Sequence, residues 1–271
     1  ATNGIGKAAA ARMAAMDHHV VIVGRSAEKC MATSEEIIRQ CGRRVDWLVA
    51  DLSSQAAVRG LAESFKQRYE RLDVLINNAG AVFIKRQETA DDQEMGWAVN
   101  YFQAFLLTHL LLECLQTSAP ARVINLSSNF HWAARLKLGN LQERGLYIGW
   151  NVYARTKLAC LYFTRELARR LAGSGVTVNA IHPGLVATGM GKTSGLLLRA
   201  VFSVVDRFAI TPEHGAEGLI HLALARELQD VSGEYFDGLK ITRSSPVSYN
   251  REIGQELWEK SLQITGLNTE P

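Results

Sequence analysis

The sequence predicts an α/β fold, a doubly wound parallel sheet with helices on both faces, and three observations predict it. Short, mainly apolar runs at 19–23, 45–50, 74–77, 123–126 and 176–181 alternate with longer amphipathic stretches. Short, mainly apolar runs suit strands buried between two helix layers, and successive parallel strands need right-handed helical crossovers. The alternation continues without an internal repeat, a low-complexity tract or a linker, so residues 1–271 read as a single domain. Glycines and small polar residues follow the runs at one end, the edge of such a sheet at which ligands bind.

The first helix spans 4–16, alanine-rich and entered from the turn A-T-N-G-I-G. A glycine-rich turn of this kind needs a strand to launch it, so the expectation is that the first strand lies upstream of Ala1, with any anchor or targeting segment. Strand 19–23 follows, then helix 27–40, strand 45–50 and helix 54–69. Strand 74–77 leads into one long helix over 91–116, and strand 123–126 precedes helix 152–171. Strand 176–181, helix 213–225, a short strand at 234–236 and a terminal helix at 250–262 complete the pattern.

Composition narrows the function classes. With 47% hydrophobic and 21% charged residues the chain supports a sizeable core. A net charge of +3, without a dense Lys/Arg run, argues against a nucleic-acid partner. Cys30, Cys41, Cys114 and Cys160 are widely spread and form no C-x-x-C pair, so they read as reduced thiols of an intracellular protein and not as a metal site. The longest apolar runs, near 102–112 and 195–205, are too short or too interrupted to span a bilayer.

Chemistry concentrates at the strand ends. Thr2, Asn3, Gly4, Ile5 and Gly6 form a turn whose glycines let the backbone approach a pyrophosphate, with a helix N-terminus to stabilise its charge. Arg25 leaves the second strand about 20 residues after that turn, where an acid would hold a ribose 2′-hydroxyl. Gly24-Arg25 offers no acid, and a guanidinium suits a 2′-phosphate, so NADP(H) is expected over NAD(H). The alternative is a solvated surface arginine. Asn151–Leu158, N-V-Y-A-R-T-K-L, sets Tyr153 and Lys157 one helical turn apart on one face. A cation so close favours the phenolate and fits Tyr153 to exchange a proton with an alcohol or alkoxide. Y-x-x-x-K alone also occurs by chance on surface helices.

Together these residues resemble the short-chain dehydrogenase/reductase family. The matches are Gly4 and Gly6 of the turn, N-N-A-G at Asn77–Gly80, the helical Asn100, Ser128 after the fifth strand, Tyr153 with Lys157, and Pro183-Gly184 with Thr188. They span nearly the whole chain; the departure is the front end, which lacks the family's first strand and first glycine. The long separation of Ser128 from Tyr153 is similar to the retinol-dehydrogenase-like branch, as are Y-A-R-T-K-L-A, F-T-R-E-L-A and S-G-E-Y-F.

The resemblance implies a Rossmann-like fold and a set of roles. Ser128 orients the substrate carbonyl, Tyr153 is the acid or base, and Lys157 also holds the nicotinamide ribose. Asn100 positions a water in a proton relay to Lys157. Asp51 accepts from the adenine amino group with Leu52 beside it; Asn78, Ala79 and Gly80 lie along the adenine ribose. Pro183, Gly184 and Val186 face the nicotinamide, and Thr188 bonds its carboxamide. The bland alternatives are a helix N-cap for Asp51, a plain turn after a buried strand for Asn77–Gly80, a helix-capping polar residue for Asn100, and a satisfied structural histidine for His182.

Residues 186–211 are expected to form a lid over the substrate, in which Gly189, Gly191 and Gly195 precede a stripe rich in Leu, Val and Phe. A packed core helix is the competing reading. Phe130, His131, Trp132 and Trp150 flank Ser128 and Tyr153 and are expected to line the pocket. The resemblance points to a small lipophilic substrate, a retinoid, steroid or long-chain aldehyde. It further implies a homodimer or homotetramer paired through helices 91–116 and 152–171, and a cytoplasmic protein or one at a cytoplasmic-side membrane surface, held peripherally or by an N-terminal anchor. A dinucleotide-binding scaffold and a double-bond reductase are the other readings.

Overall fold

The structure is a computed structural model, and it describes residues 1–184 and 210–267. Among the described residues seven strands form: β1 (Val20–Gly24), β2 (Val45–Val49), β3 (Val74–Asn77), β4 (Ala121–Leu126), β5 (Val176–His182), β6 (Tyr235–Asp237) and β7 (Lys240–Ile241). The expected alternation is present, but the hydrogen-bonded ladders make two sheets. β1 and β2 pair in parallel, while β3-β4-β5-β6-β7 form the second sheet, parallel except for the β6–β7 hairpin. The two-residue β7 escaped sequence reading because it is too short and too exposed to show a pattern.

Helices α1 (Gly4–Ala15), α2 (Ala27–Cys41) and α8 (Pro212–Leu224) pack on one face. There Ile5, Ala9 and Met13 of α1 and Leu219 and Leu222 of α8 meet Ile124, Leu126 and Ile181 of the sheet. On the other face lie α3 (Gln55–Arg68), α5 (Gln103–Leu110) and α7 (Gly149–Arg170), with α9 (Arg251–Thr265) outside them. The caps follow local chemistry: the Ser26, Ser54, Thr211 and Asn250 side chains each accept a first-turn N–H.

The single helix expected over 91–116 is broken into pieces. It begins at α4 (Met95–Trp97), because the Glu94 carboxylate accepts from the N–H groups of Gly96 and Trp97, both at 2.9 Å. Asp91 serves a different helix, accepting from the Gln55 N–H at the start of α3, 2.8 Å away. A π-helical turn, Ala98–Phe102, follows α4 and leads into α5; α6 (Leu112–Thr117) is separate again. No proline or glycine marks these breaks, so periodicity could not locate them.

The largest buried side chains gather between α5, α7 and α9. Trp97, Tyr101, Phe102, Phe105, Phe163 and Trp258 form one cluster, with Phe105 and Trp258 edge to face at 5.0 Å. Tyr101 Oη and Ser261 Oγ hydrogen-bond at 3.0 Å, joining the π turn to α9. Parts of the two helices expected to pair with a second copy thus also pack against the chain's own terminal helix.

Candidate active site

Buried asparagines fix the strand ends. Asn77 and Asn125 are register partners on β3 and β4. Asn77 Nδ2 donates to Asn125 Oδ1 at 2.8 Å and to Thr108 Oγ1 at 3.0 Å, while Asn125 Nδ2 donates to Thr164 Oγ1 at 3.0 Å. The chain of bonds runs from α5 through the sheet to α7. Asn77 is thus a structural residue, and the loop Asn78–Gly80 leaves β3 at a fixed point.

Asn100 sits on the π turn, 2% exposed. Its Oδ1 accepts from the Ala81 N–H at 2.7 Å, and its Nδ2 donates to the Ala81 carbonyl at 2.9 Å and to Thr156 Oγ1 at 3.2 Å. One side chain therefore clamps the loop after β3 to α7. π turns displace a carbonyl from the helical ladder and recur at functional sites. Here the Asn100 carbonyl accepts from the Cys160 thiol at 3.4 Å.

Lys157 lies beside this clamp and is 3% exposed. Its Nζ donates to the Leu126 carbonyl at 2.7 Å and lies 5.6 Å from the Tyr153 ring centroid. An ammonium has three donors, and the Leu126 bond uses one of them. A buried cation with two donors unassigned among the described residues is costly unless something accepts from them. Gly80 closes over this group: a Cβ there would sit 3.2 Å from Lys157 Nζ and 3.3 Å from Asn100 Oδ1. Even alanine would crowd both.

Ser128, 7% exposed, follows β4 and caps the 3₁₀ turn Asn129–Ala133. Its neighbour Ser127 donates to the Lys157 carbonyl at 2.9 Å, tying the serine loop to α7. Tyr153, 9% exposed, stands edge-on to Phe130 and Trp150 at centroid distances of 5.8 and 6.3 Å. Phe130 and Trp150 stack at 5.3 Å, and Phe130 and Trp132 are exposed. His131 departs from the expected pocket lining: it is fully buried, and its ring nitrogens bond the Ser128 carbonyl (2.7 Å) and the Ser245 N–H (3.0 Å). Ser127, Thr156 and His131 therefore hold the site together; of these, sequence reading singled out only His131, and as pocket lining.

The opposite end of the edge presents a helix N-terminus without a side-chain cap. Asn3, the N-cap of α1, makes no side-chain cap bond; no acid lies in the first turn, and Gly4 takes φ +54°. The first N–H groups of α1 thus carry partial positive charge that no side chain answers. Lys7 is turned away, paired with Glu36 at 2.6 Å. A Cβ on Gly6 would lie 2.6 Å from Asn78 Nδ2, and one on Gly24 2.9 Å from Thr2 Cγ2, so the turn packs against the ends of β3 and β1. Ile5 is buried under it.

Arg25 is exposed at the end of β1. Asp51 accepts from Ser53 N–H at 3.0 Å and Ser53 Oγ at 2.8 Å. The Ser53 backbone bond foremost, and nearby Arg25 in lesser part, hold its carboxyl below the ordinary aspartate range. Ser54, not Asp51, caps α3; Leu52 lies half-buried between them. Pro183 and half-buried Gly184 (φ +91°) follow β5, where Gly184 packs against Ile210. His182 differs from the satisfied histidine expected, since its buried Nδ1 has no partner among the described residues; burial pushes its pKa down. Val186, Thr188 and most of the proposed lid at 186–211 lie outside the described residues.

Residues 1–196 match the family described as short chain dehydrogenase. The chain belongs to the short-chain dehydrogenase/reductase family. It is 39% identical to human retinol dehydrogenase 13 over 98% of this chain and 83% of that protein. Against human polyprenol dehydrogenase it is 36% identical, again over 98% of this chain and 83% of that one. Among solved structures, the Pseudomonas aeruginosa RhlG/NADP active-site complex superposes with a TM-score of 0.70 at 25% identity, over 91% of this chain and 93% of that one. The protein is an NAD(P)-dependent oxidoreductase acting on CH–OH/C=O groups, related to retinol dehydrogenases.

Proposed function

We propose that this protein interconverts a lipophilic carbonyl compound and its alcohol with NADP(H), using Tyr153 as the acid in reduction and the base in oxidation. The observation that carries the reading is the buried Lys157 ammonium beside the Tyr153 ring, with one hydrogen bond among the described residues. Such a cation suits a neighbour that gives up a proton during the reaction, and its two remaining donors suit the diol of a nicotinamide ribose. The unanswered N-terminus of α1 suits the pyrophosphate, with Thr2–Gly6 against it. Asp51, Leu52 and Asn78–Gly80 border the adenosine end, and Pro183, Gly184, Val186 and Thr188 the nicotinamide end. When bound, the dinucleotide supplies or accepts the hydride.

The chain's own work is positioning and proton handling. The Ser128 hydroxyl donates to the substrate oxygen and stabilises charge that develops there. Tyr153 delivers its proton to the same oxygen, and Lys157 stabilises the phenolate left behind. Asn100 keeps Gly80 and Thr156 at the distances that leave Lys157 room. Phe130 and Trp150 present an aromatic wall beside Tyr153, suited to an apolar chain or ring. The names of the retinol and polyprenol dehydrogenases agree with a lipophilic substrate.

Arg25 is the selector for NADP(H), because a guanidinium at the end of β1 pairs with a 2′-phosphate and gives NADH nothing comparable. The RhlG complex, which holds NADP, supports the same choice. The test is the affinity of wild type and Arg25→Asp for NADPH and NADH. Tighter NADPH binding that the substitution erases or reverses is the expected result; equal affinities in both proteins would remove the claim.

A further inference from the structure

His131 is fully buried beside Ser128, outside any contact that the reaction above requires. Its two ring nitrogens meet opposite demands. The Ser128 carbonyl, 2.7 Å from Nδ1, can only accept, and the Ser245 N–H, 3.0 Å from Nε2, can only donate. Both bonds form together in one state alone, the neutral imidazole with its proton on Nδ1. A second proton would go to Nε2, pointing at the Ser245 N–H, with no acceptor there.

The ring is also clamped sideways. Tyr235 stands edge-on at 5.0 Å, and its hydroxyl donates to Asn129 Oδ1 at 2.7 Å, in the same turn. The segment 244–249 on the far side is held by Arg165, which donates to Ser244 Oγ at 2.8 Å and to Ser248 O and Oγ at 3.0 Å, and stacks on Tyr249 at 4.0 Å. The charged and titratable groups facing the imidazole are thus the Arg165 guanidinium from α7, His182 from β5 and the Tyr235 phenol from β6. Burial foremost pushes the His131 pKa down; the bond to the Ser128 carbonyl opposes it, and Arg165 and His182 add to it in smaller part.

We infer that His131 is a positioning residue for the reaction: as the Nδ1–H tautomer it fixes the Ser128 backbone against segment 244–249, and so sets where the serine hydroxyl points. The inference rests on the proposed role of Ser128. Protonation of His131 breaks the Ser245 bond, so the acid limb of kcat includes a step below the ordinary histidine range.

Two variants separate the bonds. In His131→Asn the amide nitrogen replaces the Nδ1 donor to Ser128 and the Ser245 bond is lost; in His131→Gln the amide oxygen reaches the Ser245 N–H and the Ser128 bond is lost. With decanal and NADPH, His131→Gln should lower kcat about tenfold or more with KM within about twofold, as expected for a misplaced catalytic group. His131→Asn should stay within about threefold of wild type and lose the histidine step from the pH profile. Nitrogen-15 spectra of histidine-labelled wild type, with the His131 signals assigned by their absence from His131→Asn, should show Nδ1 protonated and Nε2 bare at pH 7. Equal kcat in both variants, or an Nε2–H tautomer, would overturn the inference. Wild type that shows the Nδ1–H tautomer yet reduces no carbonyl would instead overturn the reaction proposed above.

Discussion

At Gly80 the absence of a side chain decides what two functional groups can do. A methyl there would press on Lys157 Nζ at 3.2 Å and Asn100 Oδ1 at 3.3 Å. Neither can retreat freely, because Nζ is bound to the Leu126 carbonyl and Oδ1 to the Ala81 N–H. Gly80→Ala is therefore predicted to lower kcat on an aldehyde by about an order of magnitude, while circular dichroism shows the native fold. The Asn77 network gives a stability prediction at the same scale. Asn77→Ala leaves Asn125 Oδ1 and Thr108 Oγ1 without their shared donor, which costs about 1–3 kcal/mol, to be read from urea unfolding. The placement of Tyr153 and Lys157 on one helix, and of Ser128 after a strand, was legible in the sequence because spacing and position are local facts. The partners of Asn100 were not, since the Ala81 loop and Thr156 approach it only through the folding of β3, α5 and α7. His131 was legible as a neighbour of the site but not as a buried one: its burial depends on Ser245, 114 positions away.

The helices show where pattern reading stops. The predicted 91–116 helix has the apolar content it should, yet Glu94 starts it later than Asp91 and the π turn at Ala98–Phe102 interrupts it. That interruption places Asn100 and Tyr101, one toward the site and the other toward Ser261 of α9. The terminal helix runs further than 250–262, to Thr265, where Gly266 ends it in the left-handed region at φ +62°. Its importance lies in what it covers. Trp258, 1% exposed, packs on Phe105, Phe163 and His109, with the Arg170 guanidinium 4.4 Å from its ring centre. Truncating a buried tryptophan typically costs about 3–5 kcal/mol, so Trp258→Ala should shift the urea midpoint strongly downward. An unchanged midpoint would mean that α9 contributes little to the stability of the fold.

Across the whole molecule, three histidines prefer the neutral form. His109 is pushed down to about 4 by burial among Phe105, Phe163 and Trp258, against a smaller opposing effect of its bond to the Phe105 carbonyl. His131 and His182 are shifted the same way, again chiefly by burial. The unfolded chain binds these protons near pH 6.5 and the folded one only at lower pH, so stability rises with pH across that interval. Unfolding free energy should therefore fall as pH drops from about 6.5 towards 4, and His109→Phe should reduce the slope; a flat profile in wild type would contradict the assignment. At this scale the layered α/β architecture was legible from the alternation of apolar runs, whereas the division of the strands into two ladders was not, because pairing is a property of strand edges and not of composition. The central claim is chemical, and one experiment addresses it directly: NADPH oxidation with a long-chain aldehyde or retinal by wild type and Tyr153→Phe, with NADPH affinity measured on both. The account predicts turnover by wild type, a loss of about a hundredfold or more in Tyr153→Phe, and matching NADPH affinities. Turnover by Tyr153→Phe at the wild-type rate would contradict it.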